Sequence, residues 1–180
     1  MKTYLFTSER LGFRNWEESD IAPFHELNSD RAVMEFFPKL PSLAESKAFV
    51  ERMKGMYEER GYCYFAVDLL KTQKFIGFIG IAYQDYAADF TPCVDIGWRL
   101  AKLAWGKGYA TEGAKACLEV AFEKFGLEEV YSLAPAVNLR STAVMEKIGM
   151  EKQEYFNHPK LEDYPSLKKC VLYRKVNSSL

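Results

Sequence analysis

The stretch Trp105-Gly106-Lys107-Gly108-Tyr109-Ala110-Thr111-Glu112 places two glycines directly before an amphipathic segment. Alternating residues 94–100 before it predict a strand, and apolar residues at helical spacing after it predict a helix. A helix that begins behind a glycine-rich turn presents unpaired backbone N–H groups and a partial positive charge. Glycine allows a phosphate to approach that backbone closely. The stretch therefore predicts a site for a phosphorylated ligand, with an ordinary helix start behind a flexible turn as the alternative.

The spacing of the glycines separates this stretch from two common phosphate-binding motifs. A Walker A loop needs four residues between its glycines, and Lys107 alone separates Gly106 from Gly108. A dinucleotide fingerprint needs Gly or Ala three positions after its second glycine, where this chain has Thr111. The acidic residues 128–129 do lie at a distance compatible with such a fingerprint. A dinucleotide oxidoreductase is therefore disfavoured, but this pattern alone leaves it open.

The composition predicts one globular domain over residues 1–180. Hydrophobic residues make up 48% of the chain, which suits a full core. A formal net charge of −1 gives no electrostatic basis for a nucleic-acid partner. The chain opens on polar and charged residues and has no long apolar run, so we expect no membrane association and a cytoplasmic protein. The scattered cysteines predict neither a metal site nor a disulfide framework.

Strand and helix patterns interleave along the chain, which predicts an α/β or α+β fold with a mixed sheet. Residues 94–101 and 130–137 flank the central helix, so we expect a βαβ unit with two parallel strands. Pro135 cannot donate to a ladder and should end pairing in the second of them. The other predicted strands cover residues 4–14, 62–70, 75–83, 151–157 and 169–175. The other predicted helices follow Ser19-Asp20, cover residues 43–59 behind a Ser42/Glu45 capping box, and start at Asn138.

These motifs resemble the GNAT superfamily of acyl-coenzyme A N-acyltransferases, and within it the branch of Rim-type ribosomal-protein N-terminal acetyltransferases. The resemblance covers almost the whole chain, and it rests on residues 7–14, 76–80, 95–100, 105–112, 138–150, 156–159 and 172–173. It implies a mixed, mostly antiparallel seven-stranded sheet flanked by about four helices. It also implies that the parallel fourth and fifth strands splay apart and form a cleft for acetyl-CoA.

The resemblance implies acetyl-CoA as the co-substrate, with no metal. The pantetheine arm would pair with the fourth strand, and the pyrophosphate would meet the backbone of the glycine-rich loop. The implied cofactor-binding residues are Ile96, Gly97, Trp98, Leu100, Trp105, Gly106, Lys107, Gly108, Tyr109, Ala110, Thr111, Asn138, Arg140 and Ser141. Each of three residues has an alternative to a role in cofactor binding. Lys107 could be solvated, Asn138 could only cap its helix, and Arg140 could contact only water.

The implied chemistry is direct attack of a neutral amine on the acetyl thioester. Backbone N–H groups around residues 97–98 are candidate oxyanion donors. Ser141 is the candidate acid for the departing thiolate, because the family pattern places a serine or alanine there. The tyrosine that many relatives carry four residues later is Met145 here. Ser141 could equally be an ordinary first-turn helix residue. Asp95 is the candidate base, with a solvent-exposed strand face as the alternative.

The acceptor is expected to be a protein N-terminal α-amine or a small-molecule amine. At pH 7 about 10% of an α-amine is neutral, against about 0.04% of a lysine amine, which favours α-amines. Residues 27–56 are expected to shape a partly aromatic acceptor pocket. Glu112 is expected to complement the helix dipole, His25 to lie on a surface helix and His158 to order a loop. A monomer or homodimer is expected, and the alternative function is a non-catalytic acyl-CoA-binding module.

Overall fold

The computed structural model describes residues 2–178, through which a single eight-stranded sheet runs in the order β1-β2-β3-β4-β5-β6-β8-β7. The strands are β1 (Phe6–Thr7), β2 (Leu11–Arg14), β3 (Tyr64–Leu69), β4 (Lys74–Gln84), β5 (Cys93–Leu100), β6 (Glu129–Pro135), β7 (Glu151–Asn157) and β8 (Lys169–Val176). Neighbouring strands are antiparallel, except that β5 and β6 are parallel. The predicted mixed, mostly antiparallel sheet is confirmed.

The predicted count of seven strands is wrong by one, because residues 4–14 form a hairpin and not one strand. Phe6 lies opposite Phe13 across β1 and β2. The chain reverses between them, where the N–H of Ser8 donates to the carbonyl of Leu11 at 2.9 Å. A two-residue strand such as β1 carries too little alternation to be detected in the sequence.

Four α-helices accompany the sheet in the described part of the chain: α1 (Ile21–Ser29), α2 (Leu43–Arg60), α3 (Tyr109–Glu123) and α4 (Leu139–Lys147). The predicted capping box starts α2, since Ser42 Oγ accepts from the Glu45 N–H and the Glu45 carboxylate accepts from the Ser42 N–H. Gly61, with φ of 78°, ends that helix in the left-handed conformation. Both predicted ends of α2 are therefore within one residue of the observed ones.

The helices cover the two faces of the sheet. On one face Gly113 of α3 lies so close to β4 that a Cβ would collide with Ile79 Cδ1. On the other face Phe24 of α1 and Phe49 of α2 contact Phe78 of β4, with ring centroids 6.1 and 5.3 Å apart. This tight packing fixes the start of α3 beside the C-terminal end of β5.

The two parallel strands separate after a short contact. In the described chain their register consists of one pair, Asp95 with Tyr131, and one residue further on Ser132 Oγ donates to the Ile96 carbonyl at 2.9 Å. Beyond that point β5 and β6 diverge, which confirms the predicted cleft between them. The ladder from β6 to β8 nevertheless continues through Pro135, opposite Cys170.

The expectation that Pro135 ends pairing of its strand is therefore wrong on the β8 side. The next residue, Ala136, donates its N–H to the Lys169 carbonyl at 2.8 Å and so faces β8. Successive residues of a strand face opposite neighbours, so the nitrogen of Pro135 faces the cleft. A missing N–H costs no ladder bond on that side, because β5 has already diverged.

Candidate active site

The glycine-rich loop ends in an open helix N-terminus. Gly106 and Gly108 have φ of 71° and 80°, a conformation that other residues rarely adopt, and Gly108 is the N-cap of α3. No side chain caps this helix start. The backbone N–H groups of residues 109–111 lie in the first turn and have no intrahelical acceptor. Together with the helix dipole they form an anion site built from backbone atoms.

Glu112 fastens this loop to the hairpin of β1 and β2. Its carboxylate accepts from Ser8 Oγ at 2.7 Å, from the Arg10 N–H at 2.8 Å and from Arg10 Nε at 2.6 Å. The Arg10 guanidinium also donates to the Lys107 carbonyl at 3.0 Å and lies over the Tyr109 ring. Burial acts to raise the pKa of Glu112, but the bonds from Ser8 and Arg10 lower it. Glu112 therefore holds the loop against the hairpin of β1 and β2, in keeping with the structural role expected of it.

A cavity of about 430 Å³, here called the loop cleft, lies between this loop, the end of β5 and α4. Most of the residues that the sequence assigns to the cofactor border it. They are Trp98, Leu100, Trp105, Gly106, Gly108, Tyr109, Ala110, Thr111, Asn138, Arg140 and Ser141. Lys107 is exposed and does not border it, which agrees with the alternative of a solvated lysine.

The edge of β5 that faces β6 carries unused backbone groups. The carbonyl of Ile96 points towards β6, because it accepts from Ser132. Strand alternation then directs the N–H and C=O of Trp98 and Leu100 to the same edge, beyond the point where β6 diverges. The Leu100 carbonyl accepts from Trp105 Nε1 at 2.8 Å, which draws the start of the loop onto the strand. The Trp98 N–H is thus directed into the cleft.

The first turn of α4 borders the other side of the loop cleft. Asn138 Oδ1 accepts from the Ser141 N–H at 3.2 Å, so Asn138 does cap its helix. Arg140 forms an ion pair with Glu35 at 2.6 Å and lies over the Trp105 ring, 4.5 Å from its centroid. The alternative that Arg140 meets only water is therefore wrong. The pair is about half exposed, and such pairs contribute about 0–1 kcal/mol, so a ligand could displace it at little cost.

A second cavity of about 310 Å³, here called the strand cleft, adjoins the first where β5 and β6 diverge. It is bordered by Ile96 and Gly97 of the predicted cofactor set and by both predicted catalytic residues, Asp95 and Ser141. Trp98, Asn138 and Ser141 border both cavities. Met145, which occupies the position of the relatives' tyrosine, also borders the strand cleft. The two clefts thus meet at the predicted reaction centre.

Asp95 is buried, and the alternative that it lies on a solvent-exposed strand face is wrong. Its Oδ1 accepts from Tyr64 Oη at 2.5 Å and from Gln84 Nε2 at 3.1 Å. Tyr64 on β3 and Gln84 at the end of β4 cover the face of β5 on which Asp95 lies. Burial raises the pKa of Asp95 to about 6, although the hydrogen bonds from Tyr64 and Gln84 oppose this rise. A carboxyl group in a cleft, with a pKa raised towards neutral pH, is suited to proton transfer.

The rest of the strand cleft is largely aromatic. Residues 27–56, which were expected to shape the acceptor pocket, contribute Phe36, Phe37, Pro38 and Phe49 to it. Among the bordering residues that the sequence did not predict are Tyr64, Phe78 and Arg99. Their strands were predicted, but the pairing that brings these side chains beside Asp95 leaves no local signal in the sequence.

The two histidines differ in their relation to the clefts. His25 lies on α1, half-buried, with Nδ1 3.4 Å from Ser46 Oγ, and borders neither cleft. His158 borders the strand cleft and orders its loop as expected, since Nδ1 accepts from the Lys160 N–H at 3.2 Å. Burial, with the nearby Lys160, lowers the pKa of His158, which favours the neutral ring at pH 7. With Nδ1 used as an acceptor, the neutral ring carries its proton on Nε2.

Within residues 2–178 no group of three His, Cys, Asp or Glu side chains is arranged to hold a metal ion. The four cysteines are buried free thiols, as expected of small apolar residues. None of the described helices is long and apolar enough to span a membrane.

Residues 10–151 match the family model described as an acetyltransferase (GNAT) domain. An uncharacterized N-acetyltransferase of Bacillus subtilis, YnaD, is 33% identical over 151 residues, which cover 83% of this chain and 84% of YnaD. The chain therefore belongs to the GNAT acetyltransferase family, and its fold is that of an N-acetyltransferase.

Solved structures agree on the fold. A GNAT-family acetyltransferase from Bacillus anthracis is 28% identical with a TM-score of 0.77, and the match covers 94% of this chain and 96% of that one. The fold is shared by RimL in complex with coenzyme A, which is 15% identical with a TM-score of 0.76 over 97% of this chain and 98% of that one. It is also shared by spermidine N-acetyltransferase from Vibrio cholerae in complex with coenzyme A and spermine, which is 18% identical with a TM-score of 0.74 over 94% of this chain and 96% of that one. Because acetyltransferases with protein and polyamine acceptors resemble the chain about equally, the similarity does not single out the Rim-type branch.

Proposed function

We propose that the chain transfers the acetyl group of acetyl-CoA to a primary amine by direct attack, without a covalent enzyme intermediate. The observation that carries the proposal is the meeting of the two clefts. One offers free backbone amides at the start of α3 and along β5, and the other holds a buried carboxylate, Asp95. Membership of the GNAT family supports the reaction class.

Backbone groups of the chain would hold acetyl-CoA. The amides of residues 108–111 would bind the pyrophosphate, and the open edge of β5 at Trp98 and Leu100 would pair with the pantetheine arm as an added strand would. Ile96, Gly97, Trp105, Asn138 and Arg140 would line the rest of its path. Acetyl-CoA supplies the reactive thioester. The Trp98 N–H, directed into the cleft, would then stabilise the oxyanion that forms on the thioester carbonyl.

Asp95 and Ser141 would carry out the two proton transfers of the reaction. Asp95 would accept the proton that the attacking amine loses, and its pKa of about 6 leaves most of it ionised and ready at pH 7. Ser141, which borders both clefts, would pass a proton to the departing thiolate and take one back from water, so that its hydroxyl is restored. A thiol has a reference pKa of about 8.5, so a weak hydroxyl donor is sufficient.

The acceptor would be an α-amine or a small-molecule amine that enters through the strand cleft. A base of pKa about 6 is weak, so an amine with a substantial neutral fraction at pH 7 is favoured. Protein N-termini and small α-amines meet this condition. The similarity to acetyltransferases for both protein and polyamine acceptors supports the breadth of this class.

Free-thiol release from acetyl-CoA over a panel of amines tests this function. The panel holds peptides with free N-termini, amino acids and polyamines, and mass spectrometry identifies the acetylated product. We expect at least one amine to be acetylated well above the rate without enzyme, and Asp95→Asn to remove most of that rate. Binding of acetyl-CoA without transfer to any amine would contradict the proposed reaction and favour a non-catalytic binding module.

A further inference from the structure

Arg99 is a largely covered cation without a carboxylate partner. Its Nη1 donates to Asn28 Oδ1 at 2.8 Å, and its Nε is buried without a hydrogen-bond partner. Among residues 2–178 no carboxylate forms an ion pair with it. Arg99 borders both clefts, and it is the one Lys or Arg among the described residues that border the strand cleft.

Arg14, another arginine of the same sheet, has the carboxylate partners that Arg99 lacks among the described residues. Arg14 is buried on β2, and two carboxylates neutralise it, Asp20 at 2.6 Å and Asp68 at 2.8 Å. Burying an unpaired charge is costly, which is why buried arginines are normally paired in this way. Arg99 instead has only the amide oxygen of Asn28 and aromatic faces around it. Its guanidinium therefore has unused capacity for an anion.

The aromatic neighbours fix the guanidinium without neutralising it. Its Cζ lies 4.1 Å from the centroid of Phe37, 5.4 Å from that of Phe78 and 6.0 Å from that of Phe24. Burial lowers the pKa of Arg99 to about 10, which still leaves the side chain charged at pH 7. A planar guanidinium held in one orientation presents a fork of donors that matches a carboxylate.

Arg99 and Asp95 lie on the same face of β5, four residues apart. Their Cα atoms are roughly 13 Å apart along the strand. Gly97 between them has no side chain, and the Tyr64 ring lies against it, 3.2 Å from where a Cβ would be. Both groups border the strand cleft, so an acceptor bound there could present an amine towards Asp95 and a carboxylate towards Arg99.

We propose that Arg99 binds a carboxylate of the acceptor, so that the acceptor is an amino-carboxylate such as a free amino acid or a short peptide. This inference rests on the proposed acetyl transfer and narrows its substrate class. A single guanidinium in an aromatic cavity matches the single charge of a carboxylate better than the double charge of a phosphate. Polyamines, which carry only positive charge, would be repelled from this position.

Matched pairs of acceptors test this selectivity. Each common L-amino acid is compared with its own amide, which lacks the carboxylate, at equal concentrations of neutral amine, because the carboxylate raises the pKa of its α-amine. We expect the best acid to exceed its amide at least tenfold in kcat/KM. Arg99→Gln should lower kcat/KM for that acid at least tenfold, while the amide and the KM for acetyl-CoA change less than about twofold. Equal use of acids and amides, or a loss confined to acetyl-CoA, would overturn the inference.

Two further variants separate this role from folding. Asn28→Asp replaces an amide by a carboxylate 2.8 Å from Nη1, so it should neutralise Arg99 and abolish the preference for acids, and denaturant unfolding checks that the variant is folded. Arg60→Gln is the matched control, because Arg60 also lies over a ring, that of Tyr83 at 3.9 Å, but borders neither cleft. An Asn28→Asp protein that keeps the full preference for acids would count against an anion site at Arg99.

A calorimetric readout does not depend on turnover. N-acetylated amino acids and their amides are titrated into the protein in the presence of coenzyme A. The wild-type protein should bind the acids at least tenfold more tightly, and Arg99→Gln should bind both alike. Failure of acetyl transfer to every amine would contradict the proposed function, whereas transfer without discrimination between acids and amides would contradict this inference alone.

Discussion

The loop cleft and the strand cleft meet at Trp98, yet the groups expected to act in each come from different parts of the chain. The anion site of the loop cleft is formed by backbone amides of one contiguous turn, residues 106–111, which the side chains of Arg10 and Glu112 hold in place. The strand cleft depends on side chains from separate elements, such as Tyr64 of β3, Asp95 of β5 and Ser141 of α4. One site is therefore local in sequence and the other is assembled by the sheet.

The difference separates binding from chemistry. Backbone amides at a helix start bind a phosphate whatever side chains surround them, which suits a co-substrate common to a family. The strand cleft instead holds Asp95 and Arg99 among its covered ionisable groups. Burial raises the pKa of Asp95 and lowers that of Arg99, which favours the neutral form of each side chain. Such groups lower stability and are typical of functional sites. Substitutions in the two clefts should thus affect different constants.

The largest effect is expected for Asp95→Asn. Loss of a general base lowers kcat/KM by about 10² to 10⁴-fold, and we expect a value near the lower end. In the wild-type protein kcat/KM should rise steeply with pH up to about 6, a limb that belongs to Asp95, and more gently above it as the amine itself becomes neutral. The variant should lack this limb while it keeps its affinity for acetyl-CoA. A pH profile with an unchanged limb would remove Asp95 from the mechanism.

The same variant should gain stability. The folded-state pKa of Asp95 is raised from 3.8 to about 6, so its ionisation destabilises the folded state as pH rises through that range. At pH 7 the cost is fully present, and Asp95→Asn should increase the free energy of unfolding by about 1–3 kcal/mol. At pH 3 the gain should vanish. Denaturant unfolding of both proteins at pH 3 and pH 7 measures this gain. A variant that is less stable than the wild-type protein at pH 7 would contradict the inference that the folded protein buries a charged Asp95.

Gly108→Asp should chiefly affect the loop cleft. It adds a carboxylate and a side chain at a φ of 80°, where the pyrophosphate is expected, and should weaken acetyl-CoA binding by roughly 10 to 100-fold, or about 1.4–2.7 kcal/mol. Gly126→Asp is the control, because Gly126 has a φ of 61° and lies just beyond the other end of α3. Calorimetry should show a loss for the first variant alone. Equal losses would attribute the effect to backbone strain.

Ser141→Ala should have a smaller effect, because a thiolate is a good leaving group. We expect a fall of about tenfold in kcat with little change in the KM for acetyl-CoA. Thr142→Ala is the control on the next position of α4, where the hydroxyl donates to the Leu139 carbonyl. A rise in the KM of the Ser141 variant that matches its loss of kcat/KM would indicate a role in binding and not in proton transfer.

Lys107→Ala should have the smallest effect. Lys107 is exposed and borders neither cleft, and its carbonyl rather than its amine is used, as the acceptor for Arg10. We expect the dissociation constant of acetyl-CoA to change by less than about threefold, with some dependence on salt. A tenfold loss in calorimetry would show that the Lys107 amine folds back onto the pyrophosphate.

The loop and most elements could be predicted because their signals are local. Glycines before an amphipathic segment predict a helix start behind a turn, as at Gly108. A serine three residues before a glutamate predicts a helix cap, as at Ser42. The environment of Asp95 could not be predicted in this way. Its burial depends on Tyr64 and Gln84, which reach it only through the pairing of β3, β4 and β5. Alternation along one strand separates two faces but does not say what covers each of them.

The measurement that tests the central claim most directly is thermal unfolding of the wild-type protein with acetyl-CoA, coenzyme A, NADH or ATP. A ligand at about 100 times its dissociation constant stabilises the folded state by about 2.7 kcal/mol, a shift of a few degrees for a chain of 180 residues. We predict that acetyl-CoA and coenzyme A produce this shift and that NADH does not. Stabilisation by NADH or ATP, with none by the coenzyme A ligands, would contradict the assignment of the cleft to acetyl-CoA.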